Sequence, residues 1–323
     1  MPQEPYETFR TLELKTRELG FDLFGAAEVE PLEEELAHLK QWLAEGNQGE
    51  MDWLANDPEG RCDPGRIVPQ CKRVLVVAKN YCPTPEEYNA EPTDEEGRVS
   101  RFALGKDYHR VFDKPLKKLA RFCNRLAGKG SHSKPYVDHG PILERPWAQR
   151  AGLGFLGKHT LLINPEKGSW FFLGVVITTL DFPIPPKAEL AASCGSCRRC
   201  IDACPTQAIT EAPHRVIATR CLSYLNIEHE GPISDELKRQ YGDWILGCDV
   251  CQEVCPYNLK RAEPTQGDPF HVRHNGTLNL VELLEMTEET FNERFLRSAF
   301  WRPGLEKIKQ TAAIVQKNKS QKR

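Results

Sequence analysis

Cys194-x2-Cys197-x2-Cys200-x3-Cys204-Pro205 is the string that most limits what this chain can become. Three cysteines two residues apart, then a fourth beside a proline, match the bacterial ferredoxin run, whose fourth cysteine ligates the other of two clusters. A second run, Cys248-x2-Cys251-x3-Cys255-Pro256, repeats the pattern from Cys197 onward and lacks the first cysteine, which Cys221 can supply. The spacing has a physical cause. A cubane offers four irons at tetrahedral corners. Three close thiolates wrap one face, and the longer gap with its proline turns the fourth toward the neighbouring cluster. Crossing over assigns Cys194, Cys197, Cys200 and Cys255 to one [4Fe-4S] cluster and Cys204, Cys221, Cys248 and Cys251 to the other. A pair of zinc cages is the competing reading, but zinc ribbons carry two paired CxxC units rather than CxxCxxCxxxCP. The remaining four of the 12 cysteines, Cys62, Cys71, Cys82 and Cys123, lack mutual ligand spacing and read as small packed apolar residues.

The 323 residues are 40% hydrophobic and 28% charged, a globular composition with room for one large domain or two ordinary ones. A formal net charge of -3 excludes a uniformly basic nucleic-acid coat but not a local basic patch. The longest apolar stretch, Trp170 to Leu180, is shorter than the ~18 residues a spanning helix needs. Met1-Pro-Gln-Glu-Pro-Tyr-Glu7 has no basic start and no apolar region, so it does not read as a secretory signal. A cytoplasmic location is expected, and in that reducing compartment cysteines bind metal rather than staple the fold.

Residues 5–56 read as helices: Leu12, Leu14, Leu19 and Phe21 to Phe24 precede Gly25, and a second segment runs from Leu32 to Leu43. Val74 to Ala78 is a continuous apolar run and reads as a buried strand. Residues 83–98, with three prolines and six acids, read as a solvated loop. Lys114 to Leu126 is amphipathic. Leu116, Leu119, Cys123 and Leu126 share one face, and Lys114, Lys118, Arg121 and Arg125 form a basic stripe on the other. Tyr136 to Asp138, Leu161 to Ile163 and Trp170 to Leu180 read as strands. Without a strict βαβ rhythm, the part before residue 190 is expected to be α+β or α/β. Pro183, Pro185 and Pro186 mark a boundary before the cysteine-rich part. The last segment reads as helical around Leu278 to Leu284 and Phe291 to Phe300, and ends in a basic, frayed stretch from Lys317 to Arg323.

Five strings outside the cysteine runs carry a resemblance. They are Ser100-Arg-Phe-Ala-Leu-Gly-Lys-Asp-Tyr-His109, Tyr136-Val-Asp-His-Gly-Pro-Ile-Leu-Glu144, Arg150-Ala-Gly-Leu-Gly-Phe-Leu-Gly-Lys-His-Thr160, Gly168-Ser-Trp-Phe-Phe-Leu-Gly174 and Cys221-Leu-Ser-Tyr-Leu-Asn-Ile-Glu-His-Glu-Gly-Pro232. Together with the cluster motifs, and in the same order, they resemble the epoxyqueuosine reductases. These are cobalamin-dependent enzymes that complete queuosine at the wobble position of certain tRNAs. The resemblance runs from about residue 10 to about residue 318.

The resemblance implies an α+β chain. Residues 1–185 would be a nitroreductase-like cobalamin-binding domain, 186–262 a ferredoxin-like domain with two [4Fe-4S] clusters, and 263–323 a helical C-terminal segment with a basic tail. It implies that electrons pass from the clusters to cobalamin, that the epoxide oxygen leaves as water, and that Asp138 is the proton donor. Epoxide opening develops an alkoxide that needs a proton, and an Asp beside a flat macrocycle would have its pKa raised by desolvation. Asp138-His-Gly-Pro alone reads equally as a turn or a helix N-cap. Arg61 and Arg101 match positions that approach cobalamin, as Asp138 does; Lys158, His159 and Ser223 are further carry-overs that could also be ordinary supporting polar residues. His109 reads as a satisfied structural histidine. The implied partner is tRNA carrying epoxyqueuosine, with Lys114, Lys118, Arg121 and Arg125 as candidate phosphate contacts; a solvated helix face is their alternative. A flavodoxin- or ferredoxin-like electron donor, a monomer and no membrane complete the expectation. Many family members continue into a helical-repeat extension. This chain stops at Arg323, which implies a short form with either fewer tRNA contacts or a sufficient core.

Two other readings compete. A reductive dehalogenase shares the corrinoid chemistry, but its respiratory forms usually carry a twin-arginine signal. A plain two-cluster electron carrier would not need the long segment upstream of Cys194.

Overall fold

The computed structural model describes residues 5–88, 91–187, 192–212, 214–267 and 269–321. Among them the strands are β1 (Leu23–Glu28), β2 (Arg73–Asn80), β3 (Glu96–Val99), β4 (Ser133–Tyr136), β5 (Phe155–Leu156), β6 (Leu162–Ile163), β7 (Phe171–Thr178), β8 (Trp244–Leu246) and β9 (Thr277–Asn279). The helices before the cysteine runs are α1 (Glu7–Glu18), α2 (Glu33–Ala44), α3 (Pro58–Cys62), α4 (Pro64–Ile67), α5 (Tyr108–Ala127) and α6 (Glu144–Arg150). Within and after the runs come α7 (Arg199–Ala203), α8 (Leu222–Ile227), α9 (Asp235–Gln240), α10 (Val250–Glu253), α11 (Pro256–Arg261), α12 (Leu280–Glu285), α13 (Glu288–Phe295) and α14 (Gly304–Gln321). None of these helices is long and apolar enough to cross a membrane. The fold class is α+β.

The main sheet has the order β1-β2-β7-β4, every neighbour antiparallel. Successive residues of a strand point to opposite faces. Val74, Val76 and Ala78 of β2 pack with Val175 and Ile177 of β7 against Trp147 and Ala148 of α6. Leu75, Val77 and Val176 pack on the other face against Leu12 of α1 and Phe112, Leu116 and Leu119 of α5. Helices therefore cover both faces, and the core strand needs apolar residues at every position. That is why Val74 to Ala78 reads as a run instead of an alternation.

The expectation of helices throughout residues 5–56 is corrected by β1. Gly20, at φ 88, stops α1, and the Phe21 amide reaches back to the Thr16 carbonyl at 3.1 Å. That is a Schellman-type end, which a glycine adopts without strain. The chain then leaves in an extended conformation. Gly25 lies against the Ala151 carbonyl, where any side chain would collide with backbone. An Ala- and Gly-containing strand with both faces covered has no period to read.

Three further expectations are corrected. The acidic loop of residues 83–98 ends in β3, and Tyr88 within it is buried. Leu126, in the last turn of α5, is 42% exposed and does not share the buried face of Leu116, Leu119 and Cys123. The tail is not frayed over Lys317 to Gln321. Those residues complete α14, where Asn318 Nδ2 donates to the Lys238 carbonyl at 2.7 Å and Lys319 Nζ to that of Thr93 at 2.7 Å. Residues 322 and 323 lie outside the described residues.

A second sheet, β8-β3-β9, takes one strand from each of the three segments distinguished in the sequence. β3 pairs parallel to β8 and antiparallel to β9. Its apolar residues, Val99, Ile245, Leu246 and Leu278, share a core with Leu305, Ile308, Ala312 and Val315, one face of α14. Leu278 thus belongs to a strand, not to the helical core expected there.

Candidate functional site

All twelve cysteines are free thiols. Eight of them fall into two neighbouring groups. Cys200 is pushed up to about 11 by burial, with Cys194, Cys255 and Cys197 adding to the effect. The Cys255 thiol is likewise raised by burial and then by Cys194 and Cys197. Cys251 is raised by burial, then by Cys248 and Cys221, and Cys248 by burial, then by Cys221 and Cys204. The structure thus brings Cys194, Cys197, Cys200 and Cys255 near one another, and likewise Cys204, Cys221, Cys248 and Cys251. Cys200 also acts on Cys251, so the groups adjoin. Among the described residues no three His, Cys, Asp or Glu form a ready cage for a single ion.

Backbone amides are aimed at several of these sulfurs. Cys221 precedes α8 and its sulfur accepts from the Tyr224 and Ser223 amides; Cys255 precedes α11 and accepts from Tyr257 and Asn258. The Ala208 amide lies 3.3 Å from the Cys204 sulfur. Pro205 and Pro256 follow the last cysteine of each run and fix φ there, Pro256 opening α11. Amides around thiolates favour the anionic form that a metal cluster needs.

The second constellation surrounds Asp138, just past the end of β4. Its φ is 54, and the His139 amide bonds the Val137 carbonyl across it at 2.6 Å. The turn reading of Asp138-His-Gly-Pro is therefore correct for its backbone; the N-cap of α6 is Leu143 instead. A left-handed non-glycine residue is strained, and its neighbours must hold it. Arg61 does so in part, donating to the Gly140 carbonyl at 3.4 Å and to that of Trp53 at 2.8 Å.

His109 is the neighbour that bridges Asp138 to Asp107. Its Nε2 lies 3.3 Å from Asp138 Oδ2 and its Nδ1 lies 2.7 Å from Asp107 Oδ1. Burial works against charge on the ring, but hydrogen bonds to Asp107 and Asp138 prevail and hold it up at about 9. Burial works to raise Asp138, but hydrogen bonds from His109 and Tyr108, with the charges of His109 and Arg145, leave it below its ordinary value. The upward shift is expected of an Asp beside a macrocycle; the protein's own groups pull the other way. Desolvation is the largest single influence on Asp138, but 62% of its side chain is open to solvent and the hydrogen bonds and charges together outweigh it. Only two residues away in sequence from Asp107, His109 is satisfied as expected, but by the acid itself, which sequence reasoning missed. Asp107-Tyr108-His109 was the available signal.

From His109 a row of rings leads to the cysteines. Tyr108 stacks on His109 and on Phe172, each at 4.2 Å. Phe172 meets Tyr81 at 4.4 Å, and Tyr81 meets Trp170 at 5.8 Å. The Tyr81 hydroxyl accepts from Gln252, the residue after Cys251, at 3.2 Å. Arg101 lies over Trp170 at 4.8 Å and over Tyr88 at 3.9 Å. It pairs with Asp249 at 3.0 Å and Glu253 at 2.7 Å. Asp249, between Cys248 and Cys251, is fully buried and also accepts from the Ser100 hydroxyl and the Arg101 amide.

The other carried residues are placed as follows. Lys158 donates to the Gly195 and Cys197 carbonyls, each at 2.9 Å, and so fastens the first cysteine loop. His159 is 4% exposed and held down at about 4 by burial, with the Arg145 charge adding. Its Nδ1 accepts from the Leu161 amide at 3.2 Å, which leaves the proton on Nε2, a buried donor with no partner. Ser223 presents its amide to Cys221. Lys114, Lys118, Arg121 and Arg125 are exposed along α5, whose first turn carries Tyr108 and His109. At 1.5 Å per residue, Lys114 stands ~8 Å and Arg125 ~24 Å along the axis from His109.

Residues 193–258 match the family of 4Fe-4S double cluster binding domains, and residues 61–139 match the family described as epoxyqueuosine reductase QueG, DUF1730. An epoxyqueuosine reductase of Xanthomonas campestris pv. campestris is 41% identical over 317 residues, which is 97% of this chain and 86% of the relative. One from Vibrio cholerae is 42% identical over 303 residues, 93% of this chain and 80% of the relative. The crystal structure of an epoxyqueuosine reductase with an epoxyqueuosine-modified tRNA stem loop aligns with a TM-score of 0.85 at 29% identity, covering 97% of this chain and 81% of that one. A Bacillus subtilis structure, with its catalytic aspartate loop swung out of the active site, gives 0.84 at 28% identity, covering 97% and 82%.

Proposed function

Because this chain belongs to the epoxyqueuosine reductase family, we propose that Asp138 delivers the protons of its reaction and that the rings behind Asp138 form the wall of its cobalamin pocket. The enzyme is an oxidoreductase that reduces epoxyqueuosine to queuosine in tRNA, with two [4Fe-4S] clusters and cobalamin. The observation that carries the reading of the site is the unbroken line of contacts from Asp138 through His109, Tyr108, Phe172 and Tyr81 to the loop of Cys248 and Cys251.

The chain's own groups suit both cofactors. Two crossed thiol sets, backed by amide donors, suit two cubanes. The unpartnered Nε2–H of His159 is a donor for a carboxamide or phosphate oxygen, and Tyr108, Phe172 and Tyr81 pack ring on ring as an apolar wall. Cobalamin and the clusters, when bound, supply the two electrons of the reduction. Asp138 and His109 supply and move protons: at neutral pH the proton rests on the ring, shared with Asp138, and passes to the departing oxygen through the carboxylate. Arg61 holds the turn that presents Asp138. Arg101 and Lys158 have their hydrogen bonds within the cysteine loops, so they shape the pocket from behind, and Ser223 supports Cys221.

In the same reading, residues 1–185 are the nitroreductase-like cobalamin domain, 186–262 the two-cluster domain and 263–323 the segment that closes them. The tRNA stem loop lies along Lys114, Lys118, Arg121 and Arg125. The chain acts as a cytoplasmic monomer supplied by a flavodoxin- or ferredoxin-like donor.

Turnover of epoxyqueuosine-containing tRNA under a strong reductant tests this. The wild type yields queuosine. Asp138→Asn keeps its cluster and corrinoid absorbance and loses turnover by ~10² or more. Near wild-type turnover in that variant would remove Asp138 from the role.

A further inference from the structure

We propose that Glu144 stores the second proton of the reduction and passes it to Asp138. This deepens the reading above and rests on Asp138 being the donor. The stoichiometry calls for such a store. Removing an epoxide oxygen takes two electrons and two protons: both C–O bonds break, a C=C bond forms, and the oxygen leaves as water. The electrons arrive through the clusters. One proton goes onto the oxygen as the first C–O bond opens, and the second as the hydroxyl leaves. The ring of His109 holds one proton, and Asp138, held in the ionised form, holds none.

Glu144 is the first residue of α6, at the end of the turn that begins with Asp138. Its carboxyl accepts the Asp138 amide and its own amide, which ties it to that turn. Its Oε1 is buried and has no hydrogen-bond partner. An ionised carboxylate with a bare buried oxygen is costly, whereas a protonated one is not. The charges that reach it are those of Asp138 in the turn and Arg145 on its own helix; Tyr108 on α5 feels it and stays protonated. Burial, with the Asp138 charge adding, raises it to about 8. Two protons are thus kept next to one carboxylate at neutral pH, one on each side of the bookkeeping that the reaction demands. When Asp138 has released the first, Glu144 can recharge it. A group that only held the turn would work equally well as an amide.

The test uses the holoenzyme and Glu144→Gln, which keeps the shape and an acceptor for the Asp138 amide. Infrared difference spectra read the group without turnover. A protonated-carboxyl carbonyl band is expected in the wild type at pH 7, titrating near pH 8 and missing in Glu144→Gln. In Asp138→Asn its midpoint moves to lower pH, because the neighbouring negative charge is gone. In turnover, Glu144→Gln is expected to lose ~10-fold in kcat at pH 7 and the alkaline limb near pH 8, with KM for tRNA little changed; Glu144→Asp restores part of both. No band at pH 7, or a Glu144→Gln variant with the wild-type pH profile, overturns the proposal. A band that behaves as described, alongside an active Asp138→Asn, would instead overturn the donor role of Asp138.

Discussion

The imidazole of His109 lies 3.3 Å from the carboxylate of Asp138 and 2.7 Å from that of Asp107, one ring bridging two acids. Its folded pKa of about 9 exceeds the ordinary 6.5. The stabilisation from this charge is therefore complete below about pH 6.5 and is lost as the pH rises through about 9. Asp138 and Asp107 are both lowered. Their contributions are present above the usual carboxylate range of ~4 and are lost on acidification. His109→Gln should destabilise the holoenzyme by about 1–2 kcal/mol at pH 6, a value at the low end because the Asp138 side is open to water. The gap in melting temperature from the wild type should close above pH 9. A gap independent of pH would mean that the ring contributes packing alone.

The fully buried Asp249 carboxylate depends on Arg101 for its counter-charge. Removing one partner of a buried pair leaves the other uncompensated, at a cost of about 3–5 kcal/mol. Arg101→Ala should lower thermal stability by that order and shed iron from the Cys248 and Cys251 side. Arg101→Met combined with Asp249→Leu should recover most of the stability. Full iron content and unchanged melting in Arg101→Ala would contradict this.

Crossed ligation is separable from uncrossed ligation by paired substitutions. Cys200 and Cys255 fall in one set, Cys204 and Cys255 in two. Cys200→Ser with Cys255→Ser should cost one cluster, whereas Cys204→Ser with Cys255→Ser should damage both. Iron per chain reads the difference, and the reverse order of loss would mean that each run closes its own cluster.

Lys118 and Arg121 stand exposed on α5. Each phosphate contact adds about 0.7–0.9 to the slope of log affinity against log salt. Lys118→Glu with Arg121→Glu should weaken binding of the tRNA stem loop and flatten that slope by roughly 1.5. An unchanged slope would take the stripe out of the interface.

The double-cluster segment was legible because ligand spacing is a local code, which the family match over residues 193–258 also reads. β2 was legible because continuous apolar runs have few other uses. β1 was not, since Leu23-Phe-Gly-Ala-Ala-Glu28 has neither alternation nor a helical stripe, and only the covering by α1 and α6 makes it a strand. The string around Asp138 pointed to the right turn but not to the pull of His109 on its acidity. The pKa of Asp138 depends on His109, some thirty positions earlier in the chain, and on a side chain more open than a buried acid would have. Glu144 closed a quoted string without being recognised, because burial of a single oxygen is a tertiary property. The ion pair of Arg101 was not legible, because its partner Asp249 lies far along the chain, inside the second cysteine run.

The small sheet β8-β3-β9 also bears on synthesis. Its middle strand emerges early from the ribosome, its first neighbour, Trp244–Leu246, much later, and Thr277–Asn279 later still. Until then Glu96–Val99 has open edges, and the core beneath it has no α14 to close on. The small sheet and its core therefore close only after the cysteine loops and α14 have been made, whereas both faces of the main sheet are covered by residues before 185.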